Sequence, residues 1–230
     1  GKKVVLIDFW TYSCINCMRT TPYLNAWYEK YKDQGLEIIG IHTPEFAFEH
    51  VIDNVAKAID KESIKYPVVL DNDYATWNAF KNQYWPRKYL VDIDGYIVYD
   101  HAGEGDYDVT EQEIQKALAE RARVLGEGTA VADGTVAPKD VTAIDFGKVG
   151  SPESYMGSSR NEYLGNGMQG RSGLQTFTAP TNPSRNKYYF TGTWNIVDES
   201  AVSTSAGSII YKYSAKNVYL VMSSEKGNTV

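Results

Sequence analysis

The sequence predicts two units, an α/β domain with a mixed sheet followed by an all-β domain. Three observations carry this. Apolar strand-like runs alternate with helical periodicity up to residue 125 and close in a hairpin pattern. Between 126 and 150 the texture changes to Gly, Ala, Thr, Val, Asp and Pro without a helical period. Beyond 151, short alternating runs are separated by Gly, Ser and Asn, which reads as a β-sandwich or jelly roll. The expected boundaries are 1–125, a linker over 126–150, and 151–230, with the last strands of the second domain expected to be cut short at Val230.

In order along the chain, Val4–Trp10 is an apolar run that predicts a buried strand, and Met18–Lys32 predicts a helix kinked at Pro22 and stopped by Gly35. Leu36–His42 predicts a second strand, Phe48–Lys61 a second helix, Tyr66–Asp71 a short strand, and Asp73–Gln83 a third helix. Asp94-Gly95 between Tyr89–Ile93 and Tyr96–Asp100 is a hairpin signal. Thr110 with Glu113 three residues on has the pattern of a capping box for a helix over Thr110–Leu125. In the second half, alternation in Tyr188–Ile196 puts Tyr188, Phe190, Trp194 and Ile196 on one face, and Ser208–Ser214 and Asn217–Ser223 predict two more strands.

The 230 residues carry a net charge of −6, which opposes nucleic acid or an anionic membrane surface as partner. The charge is uneven: residues 1–125 hold 14 Lys+Arg against 20 Asp+Glu, and the remainder 9 against 9. No run of about 18 apolar residues is present. The absence of an initiator Met and the immediate entry into a strand suggest a piece of something longer.

The chemistry gathers at Cys14-Ile15-Asn16-Cys17, the only two cysteines, at the junction of the first strand and the first helix. Unpaired N–H groups and the positive end of the helix dipole stabilise a thiolate there, which suits a redox dithiol. A zinc site would need two more ligands, and His42, His50 and His101 lack finger spacing. A pair of inert buried thiols is the remaining structural reading. No cofactor beyond the dithiol is expected, and no metal.

Asp8-Phe9-Trp10 before Cys14-x-x-Cys17, Pro22 five residues after it, and Trp85-Pro86 before Tyr89–Asp92 resemble the thioredoxin superfamily. Tyr66–Asp71 and the insertion before it resemble the TlpA/ResA branch. Trp10–Cys17, His42-Thr43-Pro44-Glu45-Phe46 and Tyr84-Trp85-Pro86 are similar to the DipZ-type proteins, in which a CcdA-like membrane domain precedes a thioredoxin-like and a β domain. Over 151–230 the resemblance rests on Ser151-Pro152-Glu153, Tyr155, Gly157 and the last strands.

The resemblance implies a thiol–disulfide oxidoreductase in which Cys14 attacks and Cys17 resolves a mixed disulfide with a protein partner. It implies a cis Pro86, with Trp85, Trp10 and Tyr12 beside the partner chain. Two acids compete for the proton of Cys17: Asp8 on the central strand, and Glu45, which matches a buried glutamate of the ResA-like branch. Glu45 also reads as a solvated acid at a helix start, and Asp8 as a structural acid within an apolar strand. The family further implies an extracytoplasmic reductant for cytochrome c maturation, fed by a CcdA-like donor in the same parent chain and anchored through it. Two other functions stay open. One is a binding module, with Tyr189 and Tyr219 as an exposed glycan platform and Arg160, Asn161 and Glu162 as a polar pocket. The other is a thiol peroxidase, since Thr11 lies three residues before Cys14.

Overall fold

A computed structural model of the protein describes residues 2–128, 130–139, 141 and 144–223. Contacts divide the chain into two compact units, Gly1–Thr142 and Ala143–Val230.

The first unit is built on β1 (Val4–Trp10), paired in parallel with β2 (Leu36–His42) and antiparallel with β4 (Arg87–Val91). With β3 (Val68–Leu70) and β5 (Ile97–Ala102) the strand order is β3-β2-β1-β4-β5. This is the mixed sheet the sequence predicts. Because β1 is central, its side chains are covered on both faces, which explains its nearly unbroken apolar run. Val4, Leu6 and Trp10 point to a core shared with α1 (Ile15–Tyr31) and α4 (Tyr107–Leu125), through Leu24, Trp27, Tyr31, Ile114 and Leu118. Phe9 points the other way, into an aromatic cluster with Ile41, Tyr89 and Trp77 of α3 (Ala75–Ala79). Gly40 on β2 is needed for close approach, since a Cβ there would lie 2.9 Å from Trp10 Nε1.

Several predicted elements change shape. The helix expected from Phe48 is a 3-10 turn, Ala47–His50, followed by α2 (Ile52–Lys61). The third helix is short. Pro22 lies within α1, which is assigned as one helix from Ile15 to Tyr31. The capping box at Thr110 does not form: α4 starts three residues earlier, and Thr110 is buried within it with its hydroxyl 3.1 Å from that of Tyr99.

Part of the segment expected to be a linker packs on this unit. Val131, Ala132 and Val136 rest against the core. Glu111, 1% exposed, holds them from below: it accepts from the Val136 N–H (2.7 Å), Tyr31 Oη (2.7 Å) and Lys30 Nζ (3.0 Å). Lys30 Nζ also donates to the carbonyls of Asp133 and Gly134.

The second unit is a sheet of β6 (Gly173–Phe177), β7 (Lys187–Ile196), β8 (Ala201–Ser203) and β9 (Ser208–Lys212), all antiparallel to β7. At Gly192, φ is +82° and a Cβ would lie 2.4 Å from the Ala206 carbonyl oxygen, so only glycine fits where β8 gives way to β9. Tyr188, Phe190, Trp194 and Ile196 fill the core as alternation predicts. Asn166 extends the ladder, its side-chain amide bonding both Phe190 N–H and C=O. Residues 217–223 carry no strand, contrary to their β-rich pattern; Val218 to Met222 are exposed and so lack the covering face a strand there would need. The chain end expected to be cut short, 224–230, lies outside the described residues.

Replacing Glu111 by alanine leaves the Tyr31 hydroxyl and the Val136 N–H without their acceptor and Lys30 without its charged partner. Glu111→Ala is expected to cost about 3 kcal/mol in urea unfolding and to speed proteolytic cleavage within 130–139. Unchanged stability and cleavage would contradict the role given to this carboxylate.

Candidate functional site

The dithiol sits where β1 hands over to α1. Cys14 is the N-cap of α1: its backbone is extended, and its Sγ accepts the Cys17 N–H at 3.4 Å. That geometry lets a thiolate at Cys14 occupy the position of a capping acceptor, with the helix dipole favouring the charge. One turn further, Cys17 is 1% exposed and packs in the core. Both cysteines are free thiols in this structure. Burial pushes the Cys17 thiol well above its ordinary value, and the neighbouring Cys14 and Asp8 charges push it the same way. Cys14 is therefore the accessible sulfur and Cys17 the protected one.

Asp8 lies beneath them on β1, 1% exposed, with Oδ1 lacking a hydrogen-bond partner. Desolvation raises its carboxyl to about 7, against an opposing pull from Lys88. Lys88 faces Asp8 across the β1–β4 register, is itself fully buried, and donates from Nζ to the Gly103 carbonyl at 3.1 Å. Burial pulls its ammonium below the ordinary lysine value. An acid of pKa near 7, within reach of the Cys17 charge, matches the operating range of a proton acceptor.

The other candidate acid is placed differently from expectation. Glu45 is half-exposed, whereas Glu49, four residues on, is 0% exposed. One Glu49 oxygen accepts from Ser13 Oγ (2.6 Å) and the Ser13 N–H (3.3 Å); the other accepts from the Glu45 (2.6 Å) and Phe46 (3.0 Å) N–H groups. Burial therefore falls on Glu49, which ties the insertion after β2 to the residue before Cys14. The sequence holds a signal for this: Glu49 stands three residues after Phe46, the spacing that returns an acid to the start of a helical turn.

The Trp85–Pro86 peptide is cis, Pro86 is buried, and its carbonyl accepts the Gly103 N–H at 2.8 Å. Trp85 is half-buried, donating to the Thr43 carbonyl at 3.0 Å and packing on Trp77. Trp10 is buried, whereas Tyr12 is half-exposed and stacks on His42. His42 is fully buried, its ring held down to about 4 by that burial, so it stays neutral. Its Nε2 lies 3.4 Å from the buried Thr11 hydroxyl. Sequence reasoning also missed the clamp on the x-x pair, where Arg19 binds Asn16 Oδ1 and both oxygens of Glu104. Among the described residues no cluster of metal-ligating side chains is found.

In the second unit, Tyr189 is 4% exposed and accepts the Ser184 N–H, so it offers no platform; Tyr219 is exposed. Asn161 is buried with its Oδ1 on the Gly170 N–H, and Arg160 lies over the Tyr155 ring, so both serve local structure rather than a shared pocket with Glu162.

Asp8 generates a prediction for stability. Its folded carboxyl is raised above the unfolded value of 3.8, so the native state holds its proton longer than the unfolded chain. Wild type should lose stability relative to Asp8→Asn as pH rises from about 4 to about 7, by up to roughly 4 kcal/mol, with a constant difference below about pH 4. Urea unfolding over that range checks this; parallel curves would contradict it.

Comparison with known proteins agrees with this geometry. Residues 1–118 match the Redoxin family model, and 151–230 match a model described as a thioredoxin-like C-terminal domain. Protein DipZ of Mycobacterium bovis is 40% identical over 223 residues, covering 96% of this chain and 31% of DipZ. The thiol–disulfide oxidoreductase YkuV of Bacillus subtilis is 31% identical over 120 residues, 52% of this chain and 80% of YkuV. The thiol–disulfide oxidoreductase ResA of Bacillus cereus is 32% identical over 114 residues, 50% of this chain and 63% of ResA. The chain thus spans about a third of the length of the DipZ protein it matches nearly end to end. With a dithiol at a strand–helix junction, a mixed five-stranded sheet and these matches, the chain belongs to the Redoxin family, as a TlpA/ResA-like member of the thioredoxin superfamily.

Proposed function

We propose that the first unit is a protein thiol–disulfide oxidoreductase that uses Cys14 and Cys17 and works as a reductant. One observation carries the reading: a buried carboxyl of pKa near 7 lies beneath a buried thiol, behind an accessible sulfur at a helix N-cap. The Cys14 thiolate attacks one sulfur of a partner disulfide, and the other partner sulfur leaves as a thiolate. Asp8 then takes the Cys17 proton, and the Cys17 thiolate attacks Cys14 Sγ, expelling the second partner thiolate. Two electrons have moved to the partner, and the protein ends with a Cys14–Cys17 disulfide. The neutral Asp8 returns its proton to solvent, and a donor dithiol restores the pair. In this reading Tyr12, Trp85 and the cis Pro86 border the path of the partner chain, while Trp10, 3% exposed, backs them from the core. Asp8, 1% exposed, rather than the half-buried Glu45, takes the proton in this reading.

The proposal extends to the whole protein on the likeness to DipZ, which covers 96% of this chain. In this reading the piece works outside the cytoplasm, takes electrons from a CcdA-like membrane donor in the same parent chain, and serves cytochrome c maturation. The described residues contain no helix long and apolar enough to cross a membrane. The second unit would act as a docking module, and a glycan is one ligand class to test on it.

Equilibration with glutathione buffers tests the activity and its direction together. The wild-type pair is expected to titrate as one two-electron couple with a midpoint more negative than about −200 mV. Cys17→Ser should stall as a mixed disulfide at Cys14, and Cys14→Ser should form none. A midpoint near that of strong oxidants, about −120 mV, would reverse the direction, and mixed disulfide in Cys14→Ser would reverse the assignment of the two sulfurs.

A further inference from the structure

The insertion between β2 and α2 is fastened to the dithiol loop more firmly than a connecting loop requires. Glu49 spends both carboxylate oxygens on that junction, bonding Ser13 with one and the Glu45 and Phe46 backbone with the other. Tyr12 Oη adds a bond to the Phe48 carbonyl at 3.2 Å, and Asn54 Nδ2 adds another to the same carbonyl. These contacts hold an aromatic row in place: His42 stacks on Tyr12, Tyr12 lies edge-on to Phe48 at 6.0 Å, and Phe48 stacks on Phe46 at 5.7 Å and 7°. The row ends at the surface, where Phe48 is 41% exposed and the adjoining Val51 and Ile52 are 47% and 64% exposed. On its other side Thr43, at the root of the insertion, accepts from Trp85 Nε1, so the insertion is bonded both to the residue before Pro86 and to the residue before Cys14. Phe48, Val51 and Ile52 are thus exposed large apolar residues on a segment that Glu49 fastens to the dithiol loop.

The occupant follows from the reaction. A target disulfide must present one sulfur to Cys14, and Tyr12, two residues before that sulfur, begins the row. Residues flanking the target cysteine therefore pass over it. We propose that Tyr12, Phe46 and Phe48, stapled to the dithiol loop by Glu49, form a specificity ledge that selects protein partners carrying an aromatic or branched aliphatic side chain next to the reactive cysteine. This rests on the oxidoreductase reading and adds its substrate class. The ledge offers rings but no charge of its own, and the unit that carries it is net acidic, so acidic flanks are disfavoured.

Two synthetic peptides test it, each bearing one cysteine held as a mixed disulfide with a chromogenic aryl thiol. One has phenylalanine and leucine beside the cysteine, the other glycine and serine. Pre-reduced protein spanning residues 1–230 supplies both electrons: Cys14 attacks the peptide sulfur and expels the aryl thiolate, which is read by absorbance, and Cys17 then releases the peptide thiol. Wild type is expected to prefer the apolar peptide by about tenfold in second-order rate constant, in line with partial burial of one large apolar side chain. Phe48→Ala should bring that ratio to within about twofold of unity, and Phe48→Leu should restore part of it. Phe46→Ala provides a second variant with the same expected direction. A ratio near one in wild type, or a ratio unchanged in both alanine variants, would overturn the ledge while leaving the oxidoreductase reading intact. A wild-type protein inert toward both peptides would overturn the oxidoreductase reading beneath it, and the ledge with it.

Discussion

A carboxyl without a full set of partners, held in the middle of the sheet, is the constraint that organises the first unit. Asp8 occupies the centre of β1 where its neighbours Leu6 and Trp10 are core residues, and its Oδ1 is unbonded. Burying an acid this way costs free energy, and the cost appears as a raised pKa rather than as an ion pair. Lys88, across the register, is close enough to pull against that shift but places its own Nζ on the Gly103 carbonyl. The result is a group poised to exchange a proton near neutrality beneath a thiol that burial keeps protonated. A carboxylate in a tight ion pair would stay charged over the same range and hold less driving force for accepting that proton.

The surroundings fix the two sulfurs in unequal settings. Cys14 has the helix terminus and partial solvent exposure; Cys17 has the core. Arg19, bonded to Asn16 and Glu104, and Glu49, bonded to Ser13, brace the dithiol loop from its two ends. Five side chains, Ser13, Asn16, Arg19, Glu49 and Glu104, thereby brace the loop that carries Cys14.

Much of this was legible in the sequence, and the reasons are local. A Cys-x-x-Cys after an apolar strand, an acid inside that strand, and Trp85-Pro86 before the hairpin each depend on spacing within one element or on a resemblance to a known motif. What failed depended on tertiary placement. Whether Glu45 or Glu49 is buried is decided by the 3-10 turn that rotates Glu49 inward, for which the sequence offers only the Phe46–Glu49 spacing. Thr110 satisfied a capping pattern, yet α4 began at Tyr107, because Thr110 is buried inside the helix against Tyr99. Tyr189, out of phase with the core residues of β7, is nonetheless buried, because Gly165 leaves room for its ring. Lys88 could have been found by pairing β4 antiparallel to β1 and noting that its partner is an acid.

The central claim is that Asp8 titrates near neutrality in the reduced protein. Carbon-13 NMR of the aspartate side-chain carboxyls in the reduced protein, with Asp8→Asn used for assignment, measures it directly. The account predicts a midpoint for Asp8 near 7. A midpoint near 4, the ordinary aspartate value, would show a solvated or fully paired carboxylate and would contradict Asp8 as the acceptor of the Cys17 proton.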